Sequence, residues 1–113
     1  MTITLNRIEI DCNEGLEIAN ELSQASSDLT TQYGRCTAAL QEVQASWRGA
    51  NASSYCVLLN QRAELIREQA GLLKELSRAV RDTVAIYRLQ QMAAYRAQQQ
   101  EMKSPSGGAG SDF

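Results

Sequence analysis

The side chains best equipped for covalent or metal chemistry are Cys12, Cys36 and Cys56, and their arrangement serves neither. No C-x-x-C pair is present, so neither a zinc framework nor a redox couple is expected. If the chain doubles back near residue 49, Cys36 lies thirteen residues from the bend and Cys56 seven. At a helical rise of ~1.5 Å per residue their levels differ by ~9 Å, too far for an undistorted disulfide. They read as small buried hydrophobes or free thiols. Histidine is absent from the 113 residues, which removes the commonest general base, the usual partner of a Ser or Cys nucleophile and the commonest transition-metal ligand. Glu64 and Glu68, and Asp82 with its nearby arginines, are spaced as solvated helix faces and salt-bridge partners. No glycine-rich loop follows a strand, so no phosphate cradle is expected. The chemistry points away from an enzyme, a cofactor or a metal, and toward an interaction.

The elements that would position such an interaction turn on Trp47-Arg48-Gly49, near the middle of the chain. Gly49 can take a backbone angle that residues with a β-carbon avoid, as many helix C-termini require. Asn51, Ser53 and Ser54 follow as side chains able to cap a new helix. Helix one is expected from about Asn13 to Ser46, with a narrow stripe of Ile18, Leu22, Ala25, Leu29, Tyr33, Cys36, Leu40, Val43 and Trp47. Its steps of three and four give one apolar contact per turn, and every residue in it is expected in the core.

Helix two is expected from near Ala52 to about Glu101. One seam repeats in sevens through Leu59, Ala63, Ile66, Ala70, Leu73, Ser77, Val80, Val84 and Tyr87. A second series, Leu58, Leu65, Leu72, Ala79 and Ile86, repeats in sevens one position to the side, and Leu76 widens the face further. That face is broader than a narrow partner helix covers, and a two-helix hairpin encloses little. The expected fold is therefore all-α: a long helix-turn-helix hairpin that dimerises into an antiparallel four-helix bundle. The expected dimer or partner interface is Leu58, Leu59, Leu65, Ile66, Leu72, Leu73, Leu76, Val80 and Ile86. Gly34 and Gly71, inside the two helices, are compatible with a close helix approach or a slight bend.

Residues 1–10 read as an extended N-terminal arm, 11–102 as the hairpin domain with its bend at 47–51, and 103–113 as a disordered tail by composition. Net charge is −2, so nothing in bulk electrostatics calls for nucleic acid. Residues 1–50 hold seven acidic and three basic side chains, and 51–103 hold eight basic and five acidic, which suits helices lying side by side or a complementary partner. The side opposite the broad apolar face carries mixed charge rather than Lys and Arg alone, so a membrane partner is not expected. Arg7 is the one basic residue before position 35, no apolar segment of 7–15 residues follows it, and no secretory signal peptide is expected.

This pattern resembles the WXG family of small type VII (ESX) secretion proteins. The residues that carry the resemblance are Trp47 and Gly49 at the bend, the two long helices around them, and a length near that family's usual hundred; it covers roughly residues 11–100. The resemblance implies a hairpin that pairs with itself, with another helical-hairpin protein or with a toxin's N-terminal domain. It also implies export from the cytoplasm by the type VII export ATPase, without a cleaved signal. In that family the Trp and Gly of the bend lie near the partner's C-terminal helix end and form part of a composite export signal, a role that falls here on Trp47 and Gly49. Family members often carry a C-terminal Tyr followed four residues later by Asp or Glu. Here Tyr87 is followed at that spacing by Gln91 and Tyr95 by Gln99. Tyr95 is the better-placed remnant, and the missing acid implies a partner that supplies it. The other class of reading is a cytosolic helical adaptor or secretion chaperone that binds a client through the broad face of helix two.

Overall fold

The computed structural model of the chain describes residues 2–103, and two α-helices account for nearly all of them: α1, Leu5–Ser46, and α2, Ala50–Lys103. Their lengths are 42 and 54 residues, and the described residues contain no strand. The all-α expectation holds. The tail expected over 103–113 lies outside the described residues, apart from Lys103 at the end of α2.

The extended arm is a correction, because the chain is helical from Leu5. Thr4 provides the reason: its Oγ1 accepts the amide of Arg7 at 3.1 Å and its carbonyl accepts the amide of Ile8 at 3.2 Å. This is an N-cap, satisfying donors that the first helical turn leaves unpaired. The steps from Ile8 to Cys12 to Gly15 to Ala19 continue a helical face into this region, and Ile8, Cys12 and Ala19 are buried.

The chain divides into two compact units, each built from one segment of each helix. The unit Ala19–Arg78 contains the bend and forms an antiparallel helical hairpin. Its buried residues are small: Ala19, Ser26, Val43, Ala52, Ala63, Ala70 and Ser77. Two of them tie the helices together. Ser26 donates its hydroxyl to the carbonyl of Ala70, and Ser77 donates to the carbonyl of Ala19, each at 2.7 Å. A serine reaches a facing backbone carbonyl only where two helices run close, and that closeness keeps large side chains out of the innermost positions.

That approach corrects the expected stripe of helix one. Its middle is inward, with Leu22, Ala25, Leu29, Tyr33, Cys36 and Leu40 half-buried and Val43 buried. Its two ends are not: Ile18 and Trp47 are 51% and 54% exposed. The inward line passes through Ala19 and Ser26, small residues that a search for bulky apolar side chains steps over. Helix two follows its expected seam throughout. Ala63, Ala70 and Ser77 are buried, and Leu59, Ile66, Leu73, Val80, Val84 and Tyr87 are half-buried.

The other unit joins the residues up to Ile18 with those from Ala79 onward. Here Gly15 is the point of closest approach, since a β-carbon at that position would lie 2.5 Å from Cγ2 of Val84. The Tyr87 hydroxyl donates to Asp11 at 2.6 Å, and Arg7 pairs with the same carboxylate at 3.0 Å. Gln98 clamps the segment before α1, its side-chain amide accepting from the Ile3 amide at 3.0 Å and donating to the Ile3 carbonyl at 2.9 Å. Gly34 and Gly71, by contrast, face open space where a β-carbon would meet nothing within 4 Å. Neither is needed for helix approach.

Candidate functional site at the helix bend

Three residues, Trp47 to Gly49, link the helices. Gly49 has a φ of +101°, the left-handed region that glycine enters without steric cost. The same residue opens the next helix, because its carbonyl accepts the amide of Ser53 at 3.2 Å. Gly49 thus stands at the N-cap position of α2, which begins at Ala50 rather than near Ala52. Asn51, Ser53 and Ser54 are accordingly inside the first turns of α2 and do not precede it. Arg48 closes α1 from the other side. Its Nη1 donates to the carbonyls of Trp47 at 2.9 Å and Gln44 at 3.3 Å, placing a cation where the helix leaves acceptors unpaired and its dipole is negative.

With its backbone fixed this way, the Trp47 ring leaves the seam. Its amide still donates to Val43 at 2.9 Å, but the helix ends at Ser46 and the side chain no longer follows the helical rotation that would turn it inward. Instead the indole stacks on Tyr55 across the bend, with ring centroids 5.4 Å apart and planes 18° from parallel. Tyr55 is itself 40% exposed. Such a plate is fixed in geometry yet open to solvent, and stacked aromatics gain about 0.5–1.5 kcal/mol beyond their buried area. Val43, Ala52 and Cys56 lie with Trp47 around an open pocket at its foot. Sequence reasoning missed Tyr55. The available signal was its position eight residues past Trp47, just inside the returning helix.

Among the other expected site residues, Tyr95 is half-buried on α2 and belongs to the other unit. The expected interface list splits in two. Leu59, Ile66, Leu73 and Val80 occupy inward positions, so their packing is within the chain. Leu58, Leu65, Leu72, Leu76 and Ile86 are between 46% and 64% exposed. The cysteines are all free, Cys12 buried and the other two half-buried. Among the described residues no helix is long and apolar enough to cross a membrane. Comparison with protein-family models, with curated proteins and with solved structures finds no match.

Proposed function

We propose that this chain is a small non-enzymatic protein exported by a bacterial type VII secretion system, or the targeting partner of a toxin exported that way. In this reading it acts as half of a dimer in which two hairpins form an antiparallel four-helix bundle. The observation that carries the proposal is Trp47-Arg48-Gly49 itself. It is the whole link between two long helices, its glycine has the positive φ such a link needs, and its tryptophan is presented outward on Tyr55. An indole held in the open at a bend is suited to recognition, because more than half of its surface is left free by the fold.

The dimer rests on a second observation. In the hairpin Ala19–Arg78 the largest buried side chain is Val43, while Leu58, Leu65, Leu72 and Leu76 are left about half exposed or more. Covering the exposed half of each leucine is worth about 0.8–1.5 kcal/mol, and a second hairpin is the simplest structure that does so along a helix. Export proceeds without a cleaved signal, and the acid missing four residues after Tyr87 and Tyr95 is supplied by the partner. The exposed leucine row also suits a cytosolic adaptor that holds a client by the same face, and localisation separates the two readings.

The test at the bend is Trp47→Ala. The account expects export to be lost while helicity is kept and the unfolding midpoint falls only modestly, by the roughly 0.5–1.5 kcal/mol of the stack plus the buried part of a ring that is more than half exposed. A variant that instead unfolds would make Trp47 a structural residue and remove the basis for the signal.

A further inference from the structure

We infer that the exposed leucine face of the hairpin docks a helix of a different protein whose apolar seam is flanked by basic residues, and not a second copy of this chain. The inference rests on the proposed dimer for the existence of a docking partner and adds the chemistry of that partner.

Register within Ala19–Arg78 defines the face. Ser26 and Ala70 face each other across the hairpin, as do Ala19 and Ser77. Ser23 and Thr30 lie beside Lys74 on one flank of that contact. The opposite flanks, Ala25, Gln32 and Ala39 on α1 and Arg62, Gln69 and Leu76 on α2, therefore meet along the other side, since flanks of the same kind face each other in an antiparallel pair. Beyond them on α2 runs Leu58, Leu65 and Leu72 at strict seven-residue spacing, 46%, 52% and 64% exposed.

The rims of this face are acidic on both sides. Past the leucine row, α2 presents Gln61, Glu68 and Glu75; past the α1 flank come Glu21, Asp28, Arg35 and Glu42. Arg35 is the single base in either rim. Glu68 and Glu75 are exposed, and neither takes part in an ion pair or hydrogen bond within the described residues. A two-fold contact of the face with itself brings each rim against an acidic rim whichever way the second copy is turned. Rim charges contribute little individually, but like charges set side by side select against a partner and opposite charges select for one. Lysine or arginine at the flanking positions of the incoming helix meets Glu68 and Glu75 on one side and Glu21, Asp28 and Glu42 on the other. The same rims disfavour an anionic lipid surface.

The experiment uses the full chain and two synthetic amphipathic helical peptides. Both carry leucines at the same seven-residue spacing; one has lysine and the other glutamate at both flanking positions. Fluorescence anisotropy of the labelled peptides reads binding, and sedimentation reads self-association of the chain. The lysine peptide should bind about tenfold more tightly, ~1.4 kcal/mol, with the difference shrinking as salt rises. Glu68→Lys with Glu75→Lys should remove most of the preference, leaving only what Glu21, Asp28 and Glu42 on the other rim supply. Leu65→Ser with Leu72→Ser should abolish binding of both peptides with the circular dichroism spectrum unchanged. Equal binding of the two peptides would overturn the inference. So would a salt-insensitive homodimer abolished by the two leucine substitutions, or capture of the chain by phosphatidylcholine vesicles in preference to the lysine peptide. No secretion apparatus enters this measurement, so its failure is separate from a failure of the export reading.

Discussion

Glycine at four positions of the helical pair plays three different parts, and single substitutions separate them. At Gly49 the φ of +101° with open space around the missing side chain makes the cost one of backbone strain. Gly49→Ala is expected to lose about 1–2 kcal/mol in chemical denaturation. At Gly15 the obstacle is Val84, whose branched side chain on a helix has few rotamers to move into. Gly15→Ala should cost about 1–3 kcal/mol by overpacking. Gly34→Ala and Gly71→Ala meet nothing and should each stabilise the chain by roughly 0.5–1 kcal/mol. Stabilisation by Gly15→Ala would show that the close approach to Val84 does not exist. Tyr87 offers a pH test at the same scale. Its hydrogen bond to Asp11, assisted by burial and by the charge of that carboxylate, raises the phenol above its usual value near 10. A raised acid in the folded state stabilises below the unfolded value and loses that stabilisation as pH climbs through the folded one. The parent chain should therefore lose its advantage over Tyr87→Phe as pH rises past about 10, measured by thermal unfolding of both at each pH. A constant difference across that window would contradict the bond.

Helix positions were legible wherever bulky apolar residues set the period, and less so where small ones did. The seam of α2 could be read from Leu59 to Tyr87 because its leucines, isoleucine and valines alternate with alanines at a steady seven-residue repeat. The second row beside it, Leu58, Leu65 and Leu72, was equally visible and is exposed. In α1 the inward line runs through Ala19 and Ser26, whose importance lies in what they permit, a close backbone approach sealed by two serine hydroxyls. Nothing in their types distinguishes them from the surface alanines and serines around them. The start of α1 is not legible in the sequence, because Ile3, Leu5, Ile8 and Ile10 include both an alternating and a helical spacing, and the cap at Thr4 decides between them. At the bend, Gly49 could be read from its type, whereas the outward turn of Trp47 could not, because it depends on where α1 ends and on Tyr55 across the link. These packing differences have a direct test. Ala70→Leu, at a buried position whose carbonyl accepts Ser26, should cost about 1–3 kcal/mol in urea denaturation. Leu72→Ala, 64% exposed, should change the isolated chain little. Similar effects at the two positions would mean that the inward and outward rows have been exchanged.

For the molecule as a whole, a thin small-residue seam, an outward tryptophan at the link and an exposed leucine row describe a chain whose apolar surface is suited to a partner. The proposed role gives each feature a use: the leucine row for docking, the Trp-x-Gly bend for the signal, and the partner for the acid absent after Tyr87 and Tyr95. The measurement that bears on this most directly is immunoblotting of cell and culture-supernatant fractions from the producing bacterium, with and without its type VII export ATPase, alongside a cytosolic marker for lysis. The account predicts the chain in the supernatant only when the ATPase is present. Retention in the cells in both strains, with the marker absent from the supernatant, would contradict export and leave a cytosolic adaptor whose Trp-x-Gly bend is structural alone.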